Sequence, residues 1–163
     1  MKLDYVQALK RVGEARGTWI LHGQEPLLEQ NLLDAFRKSW QQNEIERQRY
    51  DIGNVSDWKN VFNALNSLSL FSQQLAIEVH GNIKPDANGL KQLKSYIQHN
   101  EDNLLLIVLP KQDSSSLKSA FFQTVEANGV VVPLTATYPQ DRQRILTLEA
   151  DQLGIQLDAD AWQ

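Results

Sequence analysis

Leu104-Leu105-Leu106-Ile107-Val108-Leu109 is the stretch that decides the fold. It is apolar without interruption, and Pro110 follows it. A strand with one wet face alternates apolar and polar residues; a continuous run of this length suits a central parallel strand covered on both faces. Both faces must then be supplied with helices, and the flanking sequence supplies them. Upstream, Leu90, Leu93, Tyr96 and Ile97 make one amphipathic helix. Downstream, the loop Pro110 to Ser116 leads into a helix over Leu117 to Ala127, with Ala120, Phe121 and Val125 inward and Gly129 at its end.

Working outward, the same alternation repeats. Val6, Leu9, Lys10 and Val12 mark a short opening helix that ends near Gly13 or Gly17. Thr18 to Leu21 reads as a buried strand stopped by His22-Gly23. Pro26 suits the first turn of a helix, whose Leu28, Leu32, Ala35, Phe36 and Trp40 recur at spacings of three and four as far as Gln42. Arg47 to Ile52 alternates weakly and is a strand closed by Gly53-Asn54. Ser56 or Asp57 can cap the next helix, with Trp58, Val61, Phe62 and Leu65 on one face. Leu75 to Val79 and Val130 to Leu134 are further strands; Pro133 places the latter at an edge or at its own end. The predicted fold is α/β: an open, mainly parallel sheet with helices on both faces.

The break at Thr135 to Pro139 is the expected domain boundary. Beyond it, Ile145, Leu146, Leu148, Ala150 and Leu153 pattern a helix, and Leu157 to Trp162 begins another just where the chain stops. That ending reads as a truncated piece of a longer protein.

Composition bounds the chemistry. The 163 residues are 42% hydrophobic and 22% charged, enough for a real core. A net charge of −4 with interspersed signs disfavours an autonomous DNA-binding module. No Cys is present, which excludes disulfides, thiolate metal sites and cysteine catalysis. The start Met1-Lys2-Leu3-Asp4-Tyr5 lacks the apolar run of a signal peptide, and no apolar run is long enough to span a bilayer, so the reading is cytoplasmic with no membrane partner.

Folds of this kind bind ligands at the carboxyl ends of their strands, which makes His22-Gly23-Gln24-Glu25-Pro26 the first place to search. A phosphate loop needs a second Gly followed by Lys and Ser or Thr. This loop has neither, Pro26 removes a backbone donor, and Glu25 and Glu29 repel phosphate. Asp113 alone is a weak magnesium ligand and suits a helix cap better. His22 and His80 each follow a strand and could lie close together, without a carboxylate partner. No Ser sits in a Gly-x-Ser-x-Gly elbow. Arg47, Arg49, Lys111, Lys118, Arg142 and Arg144 are the best positioned for phosphate, within faces that otherwise read as solvated.

The remaining anomaly is Leu68-Ser69-Leu70-Phe71, apolar residues in a linker otherwise made of Ser, Asn and Gln. With about 100° per residue and Trp58 at zero, Val61, Phe62 and Leu65 fall within about 60° of the core direction, and Leu68 near the edge of that stripe. Leu70 points about 120° away and Phe71 about 140° away. They either staple the helix end to the next strand or anchor a partner's hydrophobic pocket.

Gly23 to Leu28 after a strand, Asp57-Trp58 opening a helix, Ser69-Leu70-Phe71-Ser72 after it, and Leu104 to Val108 followed by Lys111 and Asp113 occur in this order. In that order and spacing the chain resembles the bacterial DNA polymerase III delta subunit family, the clamp-loader subunits that open the sliding clamp. The resemblance implies a RecA-like AAA+ type domain over residues 1–136 without a working phosphate loop, and over 137–163 the start of a small helical second domain. It implies that Leu68, Leu70 and Phe71 bind the sliding clamp (beta subunit). It implies no catalysis and no cofactor in this piece, and only indirect or weak contact with DNA. The other loader subunits (gamma/tau and delta prime) would be met through a C-terminal domain that lies beyond this chain, and their ATP hydrolysis would control exposure of the helix tip. The competing reading is a nucleotide-binding AAA+ type ATPase that uses the loop at Gly23.

Overall fold

The computed structural model describes residues 1–67, 74–99 and 102–135. Its elements, in chain order, are α1 (Tyr5–Arg11), a 3-10 turn, β1 (Gly17–Gly23), α2 (Pro26–Gln42), β2 (Glu46–Ile52), a second 3-10 turn, α3 (Trp58–Ser67), β3 (Leu75–Gly81), α4 (Ala87–His99), β4 (Leu104–Pro110), α5 (Ser114–Leu117), α6 (Ala120–Asn128) and β5 (Val130–Leu134). The residues expected to begin a helical second domain, 137–163, lie outside the described residues, as do the patterned segments at Ile145 and Leu157.

The strand order is β2-β3-β4-β1-β5, and every pair is parallel. The run from Leu104 to Leu109 is the central strand and is wholly buried. Its neighbours align in register, Ile20 and Val79 both opposite Ile107. Because successive side chains point to opposite faces, the sheet has two separate cores. On one face Trp19, Leu21, Leu104, Leu106, Val108 and Val132 meet α1 and α2. On the other, Ile20, Ile77, Val79, Leu105, Ile107 and Val131 meet α3, α4 and α6. The continuity of the apolar run is thus the sum of two period-two patterns.

Local signals place the helices. Asp4 and Gln7 form a reciprocal capping box at the start of α1, with Gln7 N donating to Asp4 Oδ1 at 2.8 Å and Asp4 N to Gln7 Oε1 at 3.0 Å. Pro26 opens α2, and Leu28, Leu32, Leu33, Phe36 and Trp40 are its buried stripe. Burying each such side chain contributes about 1.5–3 kcal/mol. Phe36 sets its ring edge-to-face against Trp19, with centroids 5.5 Å apart. Pro133 lies on the edge strand β5, where a missing N–H is tolerated. The first residues blunt that edge: Leu3 N donates to Val131 O at 3.0 Å and Val131 N to Met1 O at 2.9 Å.

One helix begins later than the pattern predicts. Asp113 caps the single turn α5, the chain breaks at Lys118-Ser119, and α6 begins at Ala120. Shifting the start rotates the face, so Ala120 is exposed and Phe122 takes the inward place beside Phe121 and Val125. The helices cover the sheet unevenly. On the α2 side of edge strand β2, Arg47, Arg49 and Asp51 are exposed, while on the other side Tyr50 packs and Ile52 is buried.

Candidate functional site

Leu68, Leu70 and Phe71 lie outside the described residues, which stop at Ser67 and resume at Gln74. The buried stripe of α3 is Trp58, Val61, Phe62 and Leu65, the face the spacing predicts. The indole of Trp58 donates to Ile83 O at 2.9 Å, which fixes the first turn of the helix over the chain leaving β3. At the far end Ser67 Oγ donates back to Ala64 O at 2.9 Å. The chain re-enters the sheet at Leu75, whose N–H donates to Asn103 Oδ1 at 2.9 Å. The backbone carbonyl of Asn103 accepts from Gly17 N at 2.8 Å and from the Tyr96 hydroxyl at 3.3 Å. Asn103 is buried and joins the starts of β1, β3 and β4 to α4. Burial also pushes the Tyr96 phenol well above its ordinary pKa, so it stays a neutral donor. Leu75, where the described chain resumes in the sheet, lies at its amino-terminal edge, opposite the edge where such folds bind nucleotides.

At the carboxyl edge, only Gln24 and Glu25 connect β1 to α2. That connection is too short to wrap a phosphate, and Pro26 occupies the first helical position. Gly23 serves packing here: a Cβ added to it would lie 2.6 Å from Leu134 O. Leu27, in the next turn, is 67% exposed.

The other sequence candidates disperse. Asp113 caps α5, accepting from Ser116 N at 2.7 Å and from Ser115 Oγ at 2.8 Å; these bonds hold its carboxyl below the usual range. Asp57 ties down the turn before α3, its Oδ2 accepting from Gly53 N at 2.8 Å and Asn54 N at 3.0 Å. His22 and His80 fall on opposite faces of the sheet. His22 packs edge-to-face on Phe122, and burial, with Lys2 adding to it, lowers its pKa. No group of His, Asp and Glu suited to a metal ion occurs among the described residues. Arg49 pairs with Asp51 at 3.1 Å on the surface, and Lys111 and Lys118 are exposed. Arg142 and Arg144 lie outside the described residues. No helix among the described residues is long and apolar enough to cross a membrane.

Arg47 and His80 have a partner that sequence reading missed. Glu78, in the middle of β3, has a fully buried side chain. Its Oε1 accepts from Arg37 Nη2 at 2.6 Å and lies 2.8 Å from His80 Nε2; its Oε2 accepts from Arg47 Nε at 2.6 Å. Burial alone would raise its pKa, but the hydrogen bonds from His80, Arg37 and Arg47 outweigh burial and hold the carboxyl far below the usual range. The signal was present in the sequence as a single charge inside the strand Leu75-Ala76-Ile77-Glu78-Val79.

Comparison of the sequence with known families gives a match. The sequence model of the DNA polymerase III delta subunit matches residues 19–135, a span that includes both α3 and β3. No curated protein sequence matches the chain. Among solved structures, the Bacillus subtilis DNA clamp loader delta protein superposes with a TM-score of 0.68 at 12% identity, covering 97% of this chain and 50% of its own. A Rhizobiales Trip13 structure gives 0.55 at 10% identity, with 91% and 56% covered. The Aeropyrum pernix ORC1 protein in complex with DNA gives 0.51 at 10% identity, with 89% and 48% covered. At these identities the likeness is one of fold, the RecA-like AAA+ type. The chain spans about half the length of the structures it resembles.

Proposed function

The chain belongs to the DNA polymerase III delta subunit family, and from that premise we propose that it is part of a clamp-loader subunit that binds the sliding clamp and opens one of its interfaces. The observation that carries this reading is the family match over residues 19–135, which spans the whole region between α2 and β5. Leu68, Leu70 and Phe71 are the proposed contact. The α3 stripe supports the choice, because Trp58, Val61, Phe62 and Leu65 already fill the core face of that helix. The short, glycine-packed connection after β1 supports a role in binding rather than in nucleotide hydrolysis.

The mechanism is differential affinity. Leu and Phe side chains entering an apolar pocket contribute about 1.5–3 kcal/mol each. They shift the clamp toward an opened form only insofar as they bind that form better than the closed ring. Nucleotide hydrolysis in neighbouring subunits would govern access to the segment. Residues 137–163 are proposed to begin the helical domain that leads toward those subunits.

The test is capture of a sliding clamp by the chain, wild type against Leu70→Ala with Phe71→Ala. Loss of both side chains is expected to weaken binding roughly a hundredfold or more, with the melting temperature nearly unchanged. Unaltered binding accompanied by a large loss of stability would show that the pair staples the helix end instead.

A further inference from the structure

We propose that Arg37 and Arg47, held on Glu78 beside the exposed edge strand β2, form a docking face for a carboxylate-bearing segment of a partner protein. This face is independent of the 68–73 segment and of the role assigned to it. Glu78 stands where its strand neighbours Ala76, Ile77 and Val79 are buried and apolar. An apolar residue there would avoid the desolvation that a buried carboxylate suffers, so a charge at this position departs from the local pattern. What the carboxylate achieves is alignment. It fixes two guanidinium groups, one from α2 and one from β2, that stay 30% and 37% exposed.

The alignment leaves donors free. Arg47 uses only Nε on Glu78, and Arg37 uses Nη2 with a longer 3.4 Å contact from Nε. Each guanidinium carries five N–H donors, so several on each point to no acceptor among the described residues. One buried negative charge faces two arginines, and the face is therefore positive on a chain whose net charge is −4. Near it, the exposed Arg49–Asp51 pair is internally matched, His80 lies on Glu78, and Asp34, one turn before Arg37 on α2, accepts from Gln30 Nε2 at 2.8 Å.

The chemistry selects carboxylates over a nucleic acid. Two fixed forks suit bidentate carboxylate recognition. A nucleic-acid track needs a longer run of cations and aromatic platforms, and the aromatic residue of this strand, Tyr50, packs against the opposite face.

The experiment titrates the isotopically labelled chain with a short Glu-Gly repeat peptide and follows the Nε–H resonances of Arg37 and Arg47. Saturable shifts at both, weakened by salt, are expected, with affinity falling roughly tenfold or more in Arg47→Gln. Because Arg47→Gln strips a partner from a buried charge, Arg47→Gln with Glu78→Gln is measured beside it as a variant with no orphaned carboxylate. Undiminished shifts in both variants, or no saturable response of the wild type, would overturn the proposal. So would tighter binding of an oligothymidylate than of the peptide at the same nitrogens, since the face would then be a nucleic-acid contact.

Discussion

The backbone N–H of Leu75 and the side-chain oxygen of Asn103 meet at 2.9 Å in a buried setting, at the point where the chain enters β3. The backbone carbonyl of Asn103 takes hydrogen bonds from Gly17 and Tyr96, so one residue holds the starts of three strands to a helix. Replacing Asn103 with Ala leaves a buried donor without its acceptor, which costs about 1–3 kcal/mol. A lower urea midpoint is expected, with faster hydrogen exchange at the Leu75 amide. Asn103→Asp keeps the acceptor and should recover most of the amide protection. Unchanged exchange in Asn103→Ala would show that the bond does not secure the chain at this point.

Glu78 gives an acid-sensitive contribution with a definite sign. Its folded pKa lies below the ordinary 4.5, so its stabilisation is present above pH 4.5 and is lost as pH falls toward the folded value. Glu78→Gln should cost about 1–3 kcal/mol at neutral pH, less than the loss for fully buried pairs because both arginines retain water. The gap between wild type and variant should close on acidification below pH 4.5. Urea titrations across the acid range check it, and a gap independent of pH would refute it.

The layout of the sheet was legible because its signals are local and repeated. Leu104 to Leu109 suits a strand covered on both faces, and Trp58, Val61, Phe62 and Leu65 recur at the spacing of one helix face. The start of α6 was misplaced because Asp113 to Ser119 offers two caps, Asp113 and Ser119, and propensity does not rank them. The Glu78 cluster was hidden for a different reason. Its members come from α2, β2 and β3, and only the parallel pairing of β2 with β3 brings Arg47 beside the strand that carries Glu78. No spacing within the chain encodes that. The opposite faces of His22 and His80 follow from sheet register, which sequence distance cannot supply. The Leu68, Leu70 and Phe71 assignment rests on the stripe of α3 and on family likeness, and its residues lie outside the described ones.

Gly23 separates a packing glycine from a phosphate-binding one. A methyl group there would sit 2.6 Å from Leu134 O and 2.9 Å from Leu134 Cβ, both on the edge strand β5. Gly23→Ala should therefore destabilise the fold by about 1–3 kcal/mol. Gly13→Ala, where nothing lies within 4 Å of the added carbon, should stay within about 0.5 kcal/mol. Thermal melts of the two variants provide the comparison. Calorimetric titration with ATP is expected to give no saturable heat in either variant or in the wild type. A saturable wild-type signal abolished by Gly23→Ala would restore the nucleotide-loop reading.

His22 gives a second pH dependence, in a window that Glu78 does not reach. Burial is the main cause of its lowered pKa, and the charge of Lys2 adds to it. Between the depressed folded value and the ordinary 6.5 the unfolded chain binds more protons, so stability rises with pH across that interval and falls as pH drops through 6.5. The imidazole also holds a perpendicular contact with Phe122, 5.5 Å between centroids, which a shorter side chain would lose. The wild type should lose stability from about pH 7.5 to about pH 5.5, and His22→Asn should flatten that slope while lowering stability throughout. Lys2→Ala should flatten it partially, because removing the nearby cation lets the folded pKa rise toward 6.5. Urea midpoints measured across this range separate the two contributions. A slope identical in wild type and His22→Asn would assign the neutral-range dependence to another group.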